Sequence, residues 1–214
     1  MKTKIILIRH GQSIGNLERK FLGHTDLDIT ELGYQQADCV AEYLKNEIID
    51  VIYSSDLQRA YHTVVPIAKK RNLEIIKNKE LREIYAGDWE NVYADDLCKD
   101  YEKDYGIVWK TDIGNARCTN GESVVELQKR VMTELIKIAK ENQGRTVCIG
   151  THATPIRTIC AAINNISKDE IKNIPWATNA SVTRVEYENG KFKMISYGED
   201  EFLGNIKTVM FKNI

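Results

Sequence analysis

Residues 5 to 10, Ile-Ile-Leu-Ile-Arg-His, and the glycine that follows them hold the densest chemical signal in the chain. A short apolar run without charge reads as a buried strand, and this one delivers Arg9, His10 and Gly11 to its carboxyl end, where open α/β sheets place their ligands. His10 suits nucleophilic or acid/base work because an unperturbed imidazole titrates at about 6.5, and Arg9 is a permanent cation matched to an oxyanion. Gly11 would let the backbone pass close to a ligand. The pattern recurs: Val147-Cys148-Ile149-Gly150 is again a short apolar strand, and it presents Thr151-His152-Ala153 at its end. Between the two, Val51-Ile52-Tyr53-Ser54-Ser55-Asp56 leads into a helix whose first turns carry Arg59, placed to reach back over the same edge. Two imidazoles and two guanidiniums converging in one pocket suit a phosphoryl group.

The elements that would position these groups alternate along the chain. Helical spacing is expected from Thr30, a plausible N-cap, to about Asn46, and from Asp56 to about Lys70, where Pro66 predicts a kink or a local weakness. Strands are expected at 50–54, at Leu73 to Ile76 and at Arg145 to Gly150, and helices at about Ala94 to Lys103, Glu122 to Glu141 and Ile156 to Ile163. Ser181 to Glu188 and Lys191 to Tyr197, joined across Asn189-Gly190, read as a hairpin. The implied fold is a three-layer α/β/α sandwich with a mostly parallel central sheet and an antiparallel C-terminal hairpin at one side. Residues 80–120 are mixed, aromatic and acidic, and read as an excursion over the sheet.

Composition narrows the function classes. A chain of 214 residues with 43% hydrophobic content buries one substantial core, and no linker interrupts it, so a single domain over 1–214 is expected. Thirty Lys and Arg against 31 Asp and Glu leave no global field to attract nucleic acid or a membrane surface, so any anion site must be local. Five scattered cysteines without a Cys-x-x-Cys pair argue against a disulfide framework and structural zinc. With no signal-peptide run and no apolar stretch of spanning length, a cytoplasmic protein is expected.

Several spaced segments together resemble the histidine phosphatase superfamily, the phosphoglycerate mutase-like fold. They are Leu7 to Ser13 with Asn16 following, Leu27 to Gln36, Ser54 to Ala60, Leu81-Arg82-Glu83 with Gly87-Asp88-Trp89-Glu90, Gly121-Glu122-Ser123, and Thr151-His152. The resemblance covers nearly the whole chain in order. It implies a metal-independent phosphatase, without cofactor, that hydrolyses a small phosphorylated metabolite through a phosphohistidine on His10. Arg9, Arg59 and His152 would hold the phosphoryl oxygens with Asn16 as a further donor, and Glu83 would protonate the leaving oxygen and later activate water. The excursion at 80–120 would cover the active site. The compact stretch Ile84 to Glu90 and the absence of paired prolines point to the phosphatase branch; phosphoglycerate mutase is the alternative, and a non-catalytic phospholigand-binding module a second.

Each assignment has an ordinary competitor. A strand-end histidine can be a satisfied structural residue, and Arg59 could pair with Asp56 three residues before it. Glu83 could be a solvated carboxylate, and Asn16 a helix cap. His62 reads as a surface or groove residue, His24 as a residue bordering the pocket, and Trp89 and Trp109 as packing aromatics. Ala153 and Asn91 stand where the family usually has glycine, and the segment Tyr197 to Leu203 lacks the pairing many phosphatases carry, which puts a contribution from that tail in doubt.

Overall fold

The computed structural model describes residues 1–208; residues 209–214 of the expected 1–214 domain lie outside the described residues. The chain opens with strand β1 (Thr3–Arg9), a one-turn helix α1 (Ile14–Glu18) and a short strand β2 (Lys20–Phe21). Helix α2 (Glu31–Tyr43), strand β3 (Val51–Ser54), helix α3 (Gln58–Arg71) and strand β4 (Ile75–Lys77) follow. The excursion holds β5 (Val92–Tyr93), α4 (Ala94–Asp100) and a wide, π-type helical segment, Glu102–Trp109. Then come α5 (Val124–Glu141), β6 (Thr146–Thr151), α6 (Ala153–Ile163), and the hairpin of β7 (Val182–Glu188) and β8 (Lys191–Glu199).

Among the described residues the central sheet runs β4-β3-β6-β1-β7-β8, parallel from β4 to β1 and antiparallel through β7 and β8. The alternation of β1 sets the layers. Ile5 and Leu7 pack with Leu127, Val131, Ile156 and Ile159 of α5 and α6, whereas Ile6 and Ile8 pack with Val40 of α2, Leu44 at its C-cap, and Val64 and Ile67 of α3. A strand with apolar residues on both faces is what a covered parallel sheet requires. The expected three-layer fold and C-terminal hairpin are therefore present, with Asn189 and Gly190 at φ of 51° and 80° in the turn.

Element ends differ from expectation where tertiary contacts decide. The strand expected at 73–76 spans Ile75–Lys77, since its pairing with β3 starts at Ile75. The helix expected to reach Lys103 stops at Asp100, and the chain continues as the π-type segment. Helix α6 starts three residues early, at Ala153, with His152 at its N-cap; Pro155 is accepted because amides of a first turn have no partner inside the helix. Helix α3 runs unbroken through Pro66. Thr30 caps α2 as expected, accepting from the Gly33 amide.

Candidate active site

The registers of β1 and β6 pair Ile8 with Gly150 and Arg9 with Thr151, so the two strands end level. His10 and His152 leave that edge together, their rings edge to face with centroids 5.2 Å apart, and the His10 amide donates to the Thr151 carbonyl at 3.0 Å. Arg9, His10, Asn16, Arg59 and Glu83 all line one cleft at this edge, bordered by Ala153 and Thr154 of the first turn of α6. The helix thereby turns amide groups and the positive end of its dipole toward the same space.

The imidazole of His10 is oriented by its own backbone neighbour. Nδ1 lies 2.7 Å from the Gly11 carbonyl oxygen, which can only accept, so Nδ1 carries the proton and Nε2 keeps its lone pair. Burial, then the charges of Arg59 and Arg9, push the His10 pKa well below the ordinary imidazole value. The ring is neutral at neutral pH, the state a nucleophile needs. His152 is completely buried and neutral for similar reasons, burial first and Arg59 next. Its Nε2 meets the Ser55 hydroxyl at 2.9 Å, and its buried Nδ1 has no partner. Ser55 also accepts from the Leu57 amide at 3.4 Å, and when its own proton goes to Nε2 the proton of the neutral ring sits on Nδ1, ready to donate.

The guanidiniums are braced by carbonyls. Arg9 Nη1 donates to the Ala177 carbonyl at 2.5 Å. Arg59 donates through Nη1 to the Thr25 carbonyl at 2.8 Å and through Nη2 to the Gly23 carbonyl at 2.7 Å. Burial lowers both to about 10, which leaves each charged at neutral pH. The ordinary competitor for Arg59 is excluded: Asp56 is held instead by Arg82, with Nε to Oδ1 and Nη2 to Oδ2 each at 2.6 Å. Asn16 is both cap partner and cleft residue, its Oδ1 accepting from the Ser13 amide at 3.2 Å while its side chain borders the cleft.

Glu83 is half-buried, with Oε1 accepting from the Ile84 amide at 2.8 Å and Oε2 from the Thr154 amide at 3.3 Å. Burial raises its pKa, and those amides together with Arg59 oppose the rise without cancelling it. This is not the ordinary solvated carboxylate. Arg130 fixes the segment that carries it, donating to the Glu80, Arg82 and Glu83 carbonyls while pairing both its Nε and Nη2 with Glu122.

Gly11 has a packing role as well. A Cβ on it would stand 2.6 Å from the Gly33 carbonyl oxygen, and one on Gly33 would stand 2.4 Å from the Gln12 oxygen. The close approach of α2 is by itself enough to require glycine at position 11. Past the segment Tyr197 to Leu203, the chain reaches back to the site. Thr208 Oγ1 donates to Asn179 Oδ1 at 2.9 Å, and Asn179 Nδ2 donates to the His10 carbonyl and to Asn16 Oδ1, at 3.1 and 3.0 Å. His24 and His62 behave as expected: His24 borders the site through the Glu83 carbonyl at 2.9 Å, and His62 sits half-exposed against Asp28 at 2.7 Å. Trp89 is fully buried packing, whereas Trp109 packs the core and also borders the cleft.

Three supporting residues escaped the sequence reading: Ser55, Asn179 and Glu90. The Glu90 carboxylate gathers four donors, the His24 and Thr25 amides at 2.7 Å each, the Thr25 hydroxyl at 2.5 Å and the Ala86 amide at 3.0 Å. It thus ties down the loop whose carbonyls hold Arg59. Glu90 and Ser55 lie inside the segments that carry the family resemblance, which is the signal that marks them; Asn179 has no local signal. Among the described residues no group of three or more His, Cys, Asp or Glu side chains could hold a metal ion, and no helix is long and apolar enough to cross a membrane.

Known proteins resemble this chain in sequence and fold. Phosphoserine phosphatase 1 of Hydrogenobacter thermophilus is 34% identical over 186 residues, covering 87% of each chain. The metal-independent phosphoserine phosphatase of Arabidopsis thaliana is 30% identical over 95% of this chain and 84% of its own length. The structure of Bacillus stearothermophilus YhfR superposes with a TM-score of 0.89 at 29% identity, covering 94% of this chain and 99% of that one. The model of the histidine phosphatase superfamily (branch 1) matches residues 5–200, and the chain belongs to that family.

Proposed function

We propose that the chain is a metal-independent phosphatase of small phosphomonoesters, with His10 as the group that accepts the phosphoryl moiety. The observation that carries this reading is the orientation of His10: its Nδ1 proton is committed to the Gly11 carbonyl, so the lone pair of Nε2 faces a cleft lined by Arg9, Asn16 and Arg59. The ester would bind with its equatorial oxygens against the two guanidiniums, the Asn16 amide and the orphaned Nδ1 of His152. Those buried cations meet the charge that builds up on the transferring group.

In the first displacement Nε2 attacks phosphorus, the bond to the ester oxygen breaks, and Glu83 supplies the proton to the leaving alcohol. In the second, Glu83 takes a proton from water, the resulting hydroxide attacks phosphorus, and the P–N bond breaks to return neutral His10 and inorganic phosphate. A Glu83 pKa raised by burial suits both halves, since the group must hold a proton in one and accept one in the other.

Purified protein supplied with p-nitrophenyl phosphate should release phosphate in the presence of a metal chelator, and His10→Ala should not. Interconversion of 2- and 3-phosphoglycerate faster than phosphate release would replace this reading with a mutase, and tight phosphate binding without any turnover would replace it with a binding module.

A further inference from the structure

We propose that the cleft selects phosphomonoesters whose alcohol has an apolar, flat body, and discriminates against leaving groups built like a free amino acid; this rests on the phosphomonoesterase reading above. Beyond the phosphoryl-binding groups, the cleft is walled by Phe21, Leu22, Trp109 and Trp176. Phe21 stands edge to face against Trp109 with centroids 5.1 Å apart, and the Trp109 and Trp176 rings lie within 28° of parallel at 6.4 Å. The guanidinium of Arg157 sits 4.2 Å from the centroid of the Trp176 ring while Nη2 donates to the Lys172 carbonyl at 3.0 Å, so the indole is held from behind. A wall of two fixed indoles, a phenyl ring and a leucine offers a leaving group apolar contact and stacking.

The same wall has little to offer charge. Among the described residues lining the cleft, Glu83 is the one carboxylate. An α-ammonium group on the leaving alcohol would have only Glu83 to pair with, and that pairing would favour the ionised carboxylate and remove the proton the leaving oxygen needs. An α-carboxylate would find Lys20, but its Nζ is already 2.8 Å from Glu18 Oε2 and 4.7 Å over the Tyr93 ring. Arg157 is buried and turned against Trp176 rather than open to the cleft. Desolvating both charges of an amino acid here would be repaid only in part, by a carboxylate needed for proton transfer and a lysine already paired, whereas an aryl or aralkyl body is accommodated.

Two esters of primary alcohols, phenethyl phosphate and O-phospho-L-serine, test this with matched chemistry. Wild-type kcat/KM should be higher for phenethyl phosphate by about tenfold or more, and Trp176→Ala should lower that ratio by about fivefold or more, while Trp176→Phe keeps most of it. Thermal melts of the variants would show that both are folded. Equal or better use of phosphoserine by the wild type, or a ratio unmoved in folded Trp176→Ala, would overturn the proposal. If no phosphomonoester is hydrolysed, p-nitrophenyl phosphate included, the phosphatase reading falls and this one with it.

Discussion

The carboxylate of Glu90 and the carbonyl oxygens of the Gly23 to Thr25 loop form a relay that ends on Arg59: Glu90 holds the loop amides of His24 and Thr25, and the loop holds both terminal nitrogens of the guanidinium. An arginine braced in this way is aimed before the substrate arrives, which spares reorganisation when charge develops.

Glu90→Gln keeps the volume but replaces one accepting oxygen with an NH2 group that faces donors. Loss of one or two of these charge-assisted bonds is worth about 1.5–3 kcal/mol each, of which a part reaches Arg59. We expect KM for p-nitrophenyl phosphate and the inhibition constant of inorganic phosphate to rise together by about tenfold, with a smaller change in kcat. Steady-state kinetics check this; phosphate affinity equal to wild type would show that the relay does not govern Arg59.

Ser55 and His152 offer a second test of positioning. Ser55→Ala removes the partner of His152 Nε2 and with it the hydrogen bond that holds the ring in place. A neutral hydrogen bond of about 1 kcal/mol corresponds to roughly fivefold in kcat/KM, and the expected loss is of that order or larger. Ser55→Thr, which restores the hydroxyl, should recover part of it.

Glu83→Gln should depend on the leaving group. For an alkyl ester the variant loses about 100-fold or more, the usual range for general acid catalysis, and for p-nitrophenyl phosphate, whose leaving group needs no proton, much less. The pH profile follows from the shifts. His10 must be neutral, so activity falls as pH drops through its lowered pKa, and Glu83 must be protonated, so alkyl-ester turnover falls as pH rises through its raised one. The second limb should vanish for p-nitrophenyl phosphate. Equal losses with both substrates would remove Glu83 from the proton-donor role.

The same group leaves a trace in stability. A carboxyl whose folded pKa is raised favours folding below its unfolded pKa, about 4.3, and this advantage is lost as pH rises through the folded value. Glu83→Gln should therefore melt higher than wild type at neutral pH, with the difference shrinking toward pH 4. A difference independent of pH would point to packing instead.

Gly11→Ala tests the backbone contact. With its Cβ 2.6 Å from the Gly33 oxygen, α2 must move or the strand end must shift, and overpacking of this kind costs about 1–3 kcal/mol. Denaturant unfolding should show that loss, with turnover reduced because His10 is the adjacent residue.

The parts of the site that sit on regular elements were legible in the sequence. His10 and His152 follow short apolar strands, and hydrophobic runs ending in polar groups mark a sheet edge without knowledge of the fold. Arg59 was legible because helix α3 starts directly after β3. Glu83 was named through family resemblance, but its burial depends on Thr154 and Arg130, residues 71 and 47 positions away, and no local pattern encodes that. A close approach at Gly11 is legible from the residue type, but its neighbour Gly33 belongs to another element and no local pattern names it. The π-type segment ending at Trp109 is not legible for a different reason: its spacing departs from both the strand and the α-helix period.

The central claim is that the phosphoryl group passes through Nε2 of His10. Rapid acid-free quenching of the protein during turnover of a 32P-labelled aryl phosphate, followed by alkaline digestion and peptide mapping, reads this directly. The account predicts acid-labile, alkali-stable label on His10 at Nε2, absent in His10→Ala. Label on another residue, label at Nδ1, or full turnover by His10→Ala would contradict it.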